Sequence, residues 1–168
     1  LYTTTDGSLI SECDWSYDGS KIALKTNDLH GYNSKIIVID MLGNTLKTIL
    51  SDANGASGGL NFSVDGNYLV YCHDVSGYQD DHYRQLDSHI FLYNLTTNTA
   101  RDLSVESEKE NGTNDLDPRL SPNNSQIIFT NTSNDGISVK NIMVISISSD
   151  TESERASLFS NGEMPDWE

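Results

Sequence analysis

Short apolar clusters recur along this chain, each cut off by turn-forming residues. Ile22-Ala23-Leu24, Leu69-Val70-Tyr71 and Ile127-Ile128-Phe129 are three of them. A longer, nearly continuous apolar run follows each one, at 36–40, 90–94 and 142–146. A weaker mixed segment closes each set, at 46–50, 100–103 and 156–159. β-branched and aromatic residues dominate, and turn residues interrupt too often for a helix of roughly ten residues. The pattern predicts short strands. The near-continuous runs predict strands buried on both faces.

The segment ahead of each first cluster also repeats. Cys13-Asp14-Trp15-Ser16-Tyr17-Asp18-Gly19 is echoed by Leu60-Asn61-Phe62-Ser63-Val64-Asp65-Gly66, and then by Pro118-Arg119-Leu120-Ser121-Pro122-Asn123-Asn124. A fourth copy begins at Pro165-Asp166-Trp167. The anchors Trp15, Phe62, Leu120 and Trp167 lie 47, 58 and 47 residues apart. Four short strands in a unit of this length are the mark of a propeller blade. The expected class is all-β: a β-propeller of four-stranded antiparallel blades at 10–56, 57–114 and 115–162, with a further blade starting at 163–168. Gly19, Gly66 and Asn124 sit where the first turn of each blade needs a positive φ. Tyr2 precedes Trp15 by the interval that separates Ile49 from Phe62, so the N-terminus reads as the tail of a fourth strand. Three blades leave sheet faces bare. That predicts a piece of a longer propeller, a two-fold pair, or a head-to-tail assembly in which chains complete one another's split blades.

The run from Asp14 to Ala23, with Ile39-Asp40-Met41-Leu42-Gly43 behind it, resembles the WD-like propeller repeats of the TolB family. Pro118 and Pro165 supply the proline of that pattern in the third and fourth units. The resemblance spans roughly 10–168. It implies a propeller that usually has six or more blades in one chain. It also implies a periplasmic or extracellular setting. Similar repeats occur in periplasmic TolB, in the propellers of prolyl oligopeptidase-type peptidases and in some polysaccharide lyases.

Charge narrows the partners. The net charge is −15, which disfavours nucleic acid and anionic membrane surfaces. No apolar run approaches the roughly 18 to 20 residues of a membrane span, so no membrane insertion is expected. The chain opens at Leu1 rather than Met, which reads as a mature product or a fragment. Cys13 and Cys72 fall in different predicted strands and read as two buried thiols, with a bridge between them as the alternative.

The long loops, at 26–33, 73–87, 104–114 and 132–139, belong to one face of a propeller, and the tight turns to the other. Binding tends to reside on such loops. The candidate binding residues are His30, Tyr32, His73, Asp74, Tyr78, Asp80, Asp81, His82 and Tyr83. Their first reading is a solvated polar loop, and the alternatives are a protein or glycan contact surface or a cation site at Asp80, Asp81 and His82. The spacing of those three matches no established ligand motif, and no metal or cofactor is expected. Segment 104–115, charged and rich in Gly and Asn, reads as a solvated inter-blade loop. Trp15 and Trp167 read as wedges between blades. Asp14, Asn61, Arg119 and Asp166 share one register position and either ring the channel or pair across blades. Gly-x-Ser-x-Gly, His-x-x-x-His, Cys-x-x-Cys and a P-loop are all absent. The expected function is therefore a non-catalytic scaffold for protein contact or self-assembly. The alternatives are the propeller domain of a larger prolyl oligopeptidase-type peptidase, or a carbohydrate-active propeller using His30, His73, His82 or His89 as channel histidines.

Overall fold

The computed structural model describes residues 2–79, 84–147 and 153–167. Three antiparallel four-stranded sheets follow one another. The first contains β1 (Leu9–Trp15), β2 (Lys21–Asn27), β3 (Ser34–Asp40) and β4 (Thr45–Ala53). The second contains β5 (Ser57–Phe62), β6 (Tyr68–Asp74), β7 (Ser88–Asn94) and β8 (Thr99–Asp102). The third contains β9 (Thr113–Leu120), β10 (Gln126–Ser133), β11 (Asn141–Ser146) and β12 (Glu154–Ser160). In each sheet the strands lie side by side in chain order, as in a propeller blade.

One local device starts every blade. Ser16 Oγ donates to Asp18 Oδ1 (2.7 Å) and accepts from Lys21 N (2.9 Å). Ser63 repeats this with Asp65 (2.6 Å) and Tyr68 N (2.9 Å), and Ser121 with Asn123 (2.8 Å) and Gln126 N (2.9 Å). Gly19, Gly66 and Asn124 take φ of +69°, +68° and +58° at the turn. That region is open to Gly and tolerated by Asn.

Alternation along the strands gives each sheet two apolar faces, and stacking buries them. Ala23, Ile36 and Val38 of blade 1 pack against Leu60, Phe62, Leu69 and Tyr71 of blade 2. Val70, Ile90 and Leu92 on the other face of blade 2 pack against Leu120, Ile127 and Phe129 of blade 3. Burying a side chain of this size is worth about 1.5–3 kcal/mol. The inner strands approach closely. A Cβ on Gly59 (φ +66°) would lie 2.5 Å from Pro118 Cδ of β9.

Several expectations are corrected. Trp15 is 58% exposed, whereas its counterparts Phe62 and Leu120 are 6% and 7% exposed. A wedge needs a sheet on each side, and among the described residues none covers β1 there. Trp167 is half-buried and its indole N–H donates to Arg119 O (3.0 Å), yet residues 161–167 form no strand. Residues 2–4 form no strand either, and Tyr2 packs on the Leu24, Ile37, Ile39 cluster of blade 1. A strand needs a neighbour for its main-chain groups. Cys13 is exposed and Cys72 buried, and both thiols are free. Cys13 lies on the same uncovered sheet as Trp15.

Segment 104–115 is also not simply solvated. It begins in the one-turn helix α1 (Leu103–Glu106), capped by Asp102, and Ser104, Ser107, Asn114 and Asp115 are buried. Asp115 accepts from both terminal nitrogens of Arg155 (3.0 and 2.6 Å), from Ser104 Oγ (2.6 Å) and from Asn131 Nδ2 (2.8 Å). A charge leaves water this way only when it is paired and hydrogen-bonded. Among the described residues no helix is long and apolar enough to cross a membrane.

Candidate functional site

The β2–β3, β6–β7 and β10–β11 loops, with the segments that enter blades 2 and 3, share one face. Asp74 organises its largest loop. It is fully buried. Its Oδ1 accepts from Ser76 N (2.9 Å) and Asp87 N (3.1 Å), and its Oδ2 from Leu86 N (2.9 Å). One carboxylate thereby ties both ends of the loop together, so Asp74 is a loop anchor and not a surface ligand. That corrects its place among the contact residues.

His73 and His89 are register partners on β6 and β7, and both rings lie beside Phe91 (centroids 6.5 and 6.4 Å). His73 is partly buried, its Nδ1 has no partner among the described residues, and burial pushes its pKa down. His89 is bound at both nitrogens: Nδ1 to Asp102 Oδ2 (2.8 Å) and Nε2 to Asp87 Oδ1 (3.1 Å). Burial opposes its charge, but the Asp102 hydrogen bond and the charges of Asp102 and Asp87 outweigh that, and its pKa rises. Lys109 Nζ donates to Asp87 Oδ1 (2.7 Å) and Thr113 O (2.8 Å). These histidines stand on second and third strands, not on the innermost ones, so neither is a channel histidine. His30 lies in the exposed β2–β3 loop.

That loop has its own anchor. Asp28 Oδ1 accepts from His30 N and Tyr32 N (both 2.9 Å), and Oδ2 accepts from Asn33 Nδ2 (2.9 Å). The Tyr32 N–H bond is the main force holding the Asp28 carboxyl below its ordinary pKa. The rings of His30 and Tyr32 stack at 6.3 Å. Tyr32 and the exposed Tyr78 line one narrow crevice with Ala56 and Arg84. Asp80, Asp81, His82 and Tyr83 lie outside the described residues, and so does the cation site expected on three of them. Among the described residues no group of three or more His, Cys, Asp or Glu is placed to hold a metal ion.

Blade 3 braces the blade 2 loop. Asn114 accepts from Ser88 N (2.8 Å) and donates to Gln85 O (2.9 Å), and Asn134 Nδ2 donates to Leu86 O (3.0 Å). Arg84 donates to Asn134 O from Nε and Nη2 (3.2 and 3.0 Å). Sequence reasoning missed Asp87, Asp102, Lys109 and Asn114. Each has a partner 13 to 29 residues away, and no local motif marks those pairings.

No protein-family model and no curated protein matches the sequence. Solved structures do match in fold. TolB from Acinetobacter baumannii is 21% identical, with a TM-score of 0.59 over 88% of this chain and 32% of its own. Prolyl oligopeptidase B from Galerina marginata is 11% identical, with a TM-score of 0.65 over 93% of this chain and 23% of its own. A chain of the nidogen/laminin complex is 13% identical, with a TM-score of 0.63 over 95% of this chain and 51% of its own. The chain thus spans from about a quarter to half of these proteins. Its blades have the β-propeller fold seen in TolB and these other neighbours.

Proposed function

We propose that this propeller segment is a non-catalytic scaffold for protein–protein contact or self-assembly, working in the cell envelope or outside the cell. One observation carries the reading. The two internal blade interfaces bury their anchors, while the outer faces of blades 1 and 3 present apolar side chains to solvent. Ile10 and Trp15 are exposed on the outer face of β1, and Leu158 and Phe159 on β12, with Phe159 at 65%. Apolar sheet faces of this kind are packing surfaces, for further blades of the same propeller or for another molecule. The fold neighbour from the nidogen/laminin complex is itself part of a protein–protein assembly. The similarity to TolB favours the envelope.

Sedimentation and crosslinking of the native protein test the proposal. The expected result is association with itself or a partner, weakened by Trp15→Glu combined with Phe159→Glu and unaffected by Tyr17→Glu on the turn face. A monodisperse monomer that crosslinks to nothing would overturn it. The match to prolyl oligopeptidase B supports a second reading, in which these blades accompany a hydrolase domain. A strand, Gly-x-Ser-x-Gly and helix encoded in the same reading frame would decide for that reading.

A further inference from the structure

A cavity of about 420 Å3 opens on the loop face between blades 1 and 2. Leu9 of β1, Lys25 of β2, Leu29, Ser57 of β5 and Gln85 contribute to its wall. Three of these carry polar atoms that the fold leaves unused. Ser57 is buried, and among the described residues its Oγ has no hydrogen-bond partner. Gln85 Oε1 is enclosed and also has none among the described residues. Lys25 is half-buried, and among the described residues its ammonium has neither a hydrogen bond nor an ion pair.

The isolation of Lys25 has a cause. Acidic residues outnumber basic ones 25 to 10, and the five other lysines all have partners. Glu12 is the cross-strand neighbour of Lys25. Its carboxylate is already engaged across the blade interface, by Leu60 N at Oε1 (2.8 Å) and Gly59 N at Oε2 (3.2 Å). The residues that line the cavity therefore carry a cation, an enclosed hydroxyl and an enclosed amide oxygen beside the apolar side chains of Leu9 and Leu29. Native folds rarely leave buried polar groups unpaired, and a ligand site is one reason for them.

We propose that this cavity binds a carboxylate on a short apolar body with an adjacent N–H. That is the chemistry of an N-acyl amino acid or of the C-terminal residue of a peptide. The Lys25 ammonium and Ser57 hydroxyl pair with the carboxylate. Gln85 Oε1 accepts the ligand N–H. Leu9 and Leu29 flank the ligand side chain. The site belongs to blades 1 and 2 alone and does not depend on the scaffold reading.

Titration calorimetry on the native protein tests this with N-acetyl-leucine, N-acetyl-leucinamide and an acetylated tetrapeptide ending in leucine. The acid and the peptide are expected to bind, with the amide weaker by about tenfold, because a charge-assisted bond is lost. A peptide that binds more tightly than the acid marks a chain terminus as the natural ligand, and equal binding marks a small free acid. Lys25→Met is expected to weaken binding by about tenfold. Ser57→Ala also weakens it, without lowering the melting temperature, since its hydroxyl has no partner among the described residues. Equal heats from acid and amide, no heat from any probe, or unchanged binding by both variants would refute the site. Water as the sole occupant would give the second of these results. Sedimentation is a separate readout, so failure here leaves the scaffold reading standing or falling on its own.

Discussion

His89 shows how a single side chain acquires a role from residues both near and far in sequence: Asp87 is two positions away and Asp102 thirteen. The apolar run at 90–94 was legible as a strand, and the structure extends that strand to include His89, between buried Ser88 and Ile90. Its chemistry was not, because Asp102 comes from β8, Asp87 from the loop and Lys109 from beyond α1. The charged groups facing it are Asp102, Asp87 and Lys109, with His73 across the strand pair. Protonated, His89 donates to both carboxylates, and its folded pKa is raised. Its stabilisation is therefore complete below the unfolded value of about 6.5 and is lost as pH rises through the folded one. His73 has the opposite sign: burial favours its neutral ring, so its contribution is complete above about 6.5 and is lost as pH falls through its lowered value. His89→Gln should thus cost most stability near about pH 5.5 and least near about pH 8, read as the difference in urea midpoint from the parent protein. A difference constant across that range would show that the charge of the ring plays no part.

Between elements, the inner strands carry a bond that repeats from blade to blade. Asp14 Oδ2 accepts from Phe62 N (2.7 Å), and one blade later Asn61 Oδ1 accepts from Leu120 N (2.9 Å). The shared register of Asp14, Asn61 and Arg119 was visible in the sequence, and the choice between a channel ring and cross-blade pairing was not. Asp14 and Asn61 pair across blades. Arg119 cannot accept through its side chain, so its backbone oxygen takes the Trp167 indole instead. Burial raises the Asp14 pKa, with the Phe62 N–H and the charge of Arg119 pulling the other way. Strand positions were legible for a related reason: alternation and turn chemistry act over two to five residues. Segment 104–115 misled because its composition is that of solvated chain, whereas Arg155, 40 residues beyond Asp115, makes burial of the carboxylate possible. Asn61→Ala should leave the Leu120 N–H unpaired at the blade 2–blade 3 interface and cost about 1–3 kcal/mol, with Asn61→Asp retaining most of the stability. Urea unfolding measures both, and an unchanged midpoint for Asn61→Ala would mean that apolar contact alone joins these blades.

At the scale of the whole molecule, two surfaces oppose each other. In the scaffold reading the outer faces of blades 1 and 3 attract apolar surface of a partner, while a net charge of −15 repels a second copy of this chain. The Debye length shortens from about 10 Å at 0.1 M salt to about 3 Å at 1 M, which screens the repulsion and leaves apolar contact intact. Association of copies through these faces should therefore strengthen with added salt, seen as a rise in sedimentation coefficient with sodium chloride. An interface built on ion pairs would respond in the opposite sense, because its attraction is what salt screens. Trp15→Glu with Phe159→Glu should remove the salt-driven rise, since it takes apolar area from both faces and adds further negative charge. If that double variant still associates with salt as the parent does, the contact lies elsewhere, on the loop face held by Asp74, Asn114 and Arg84.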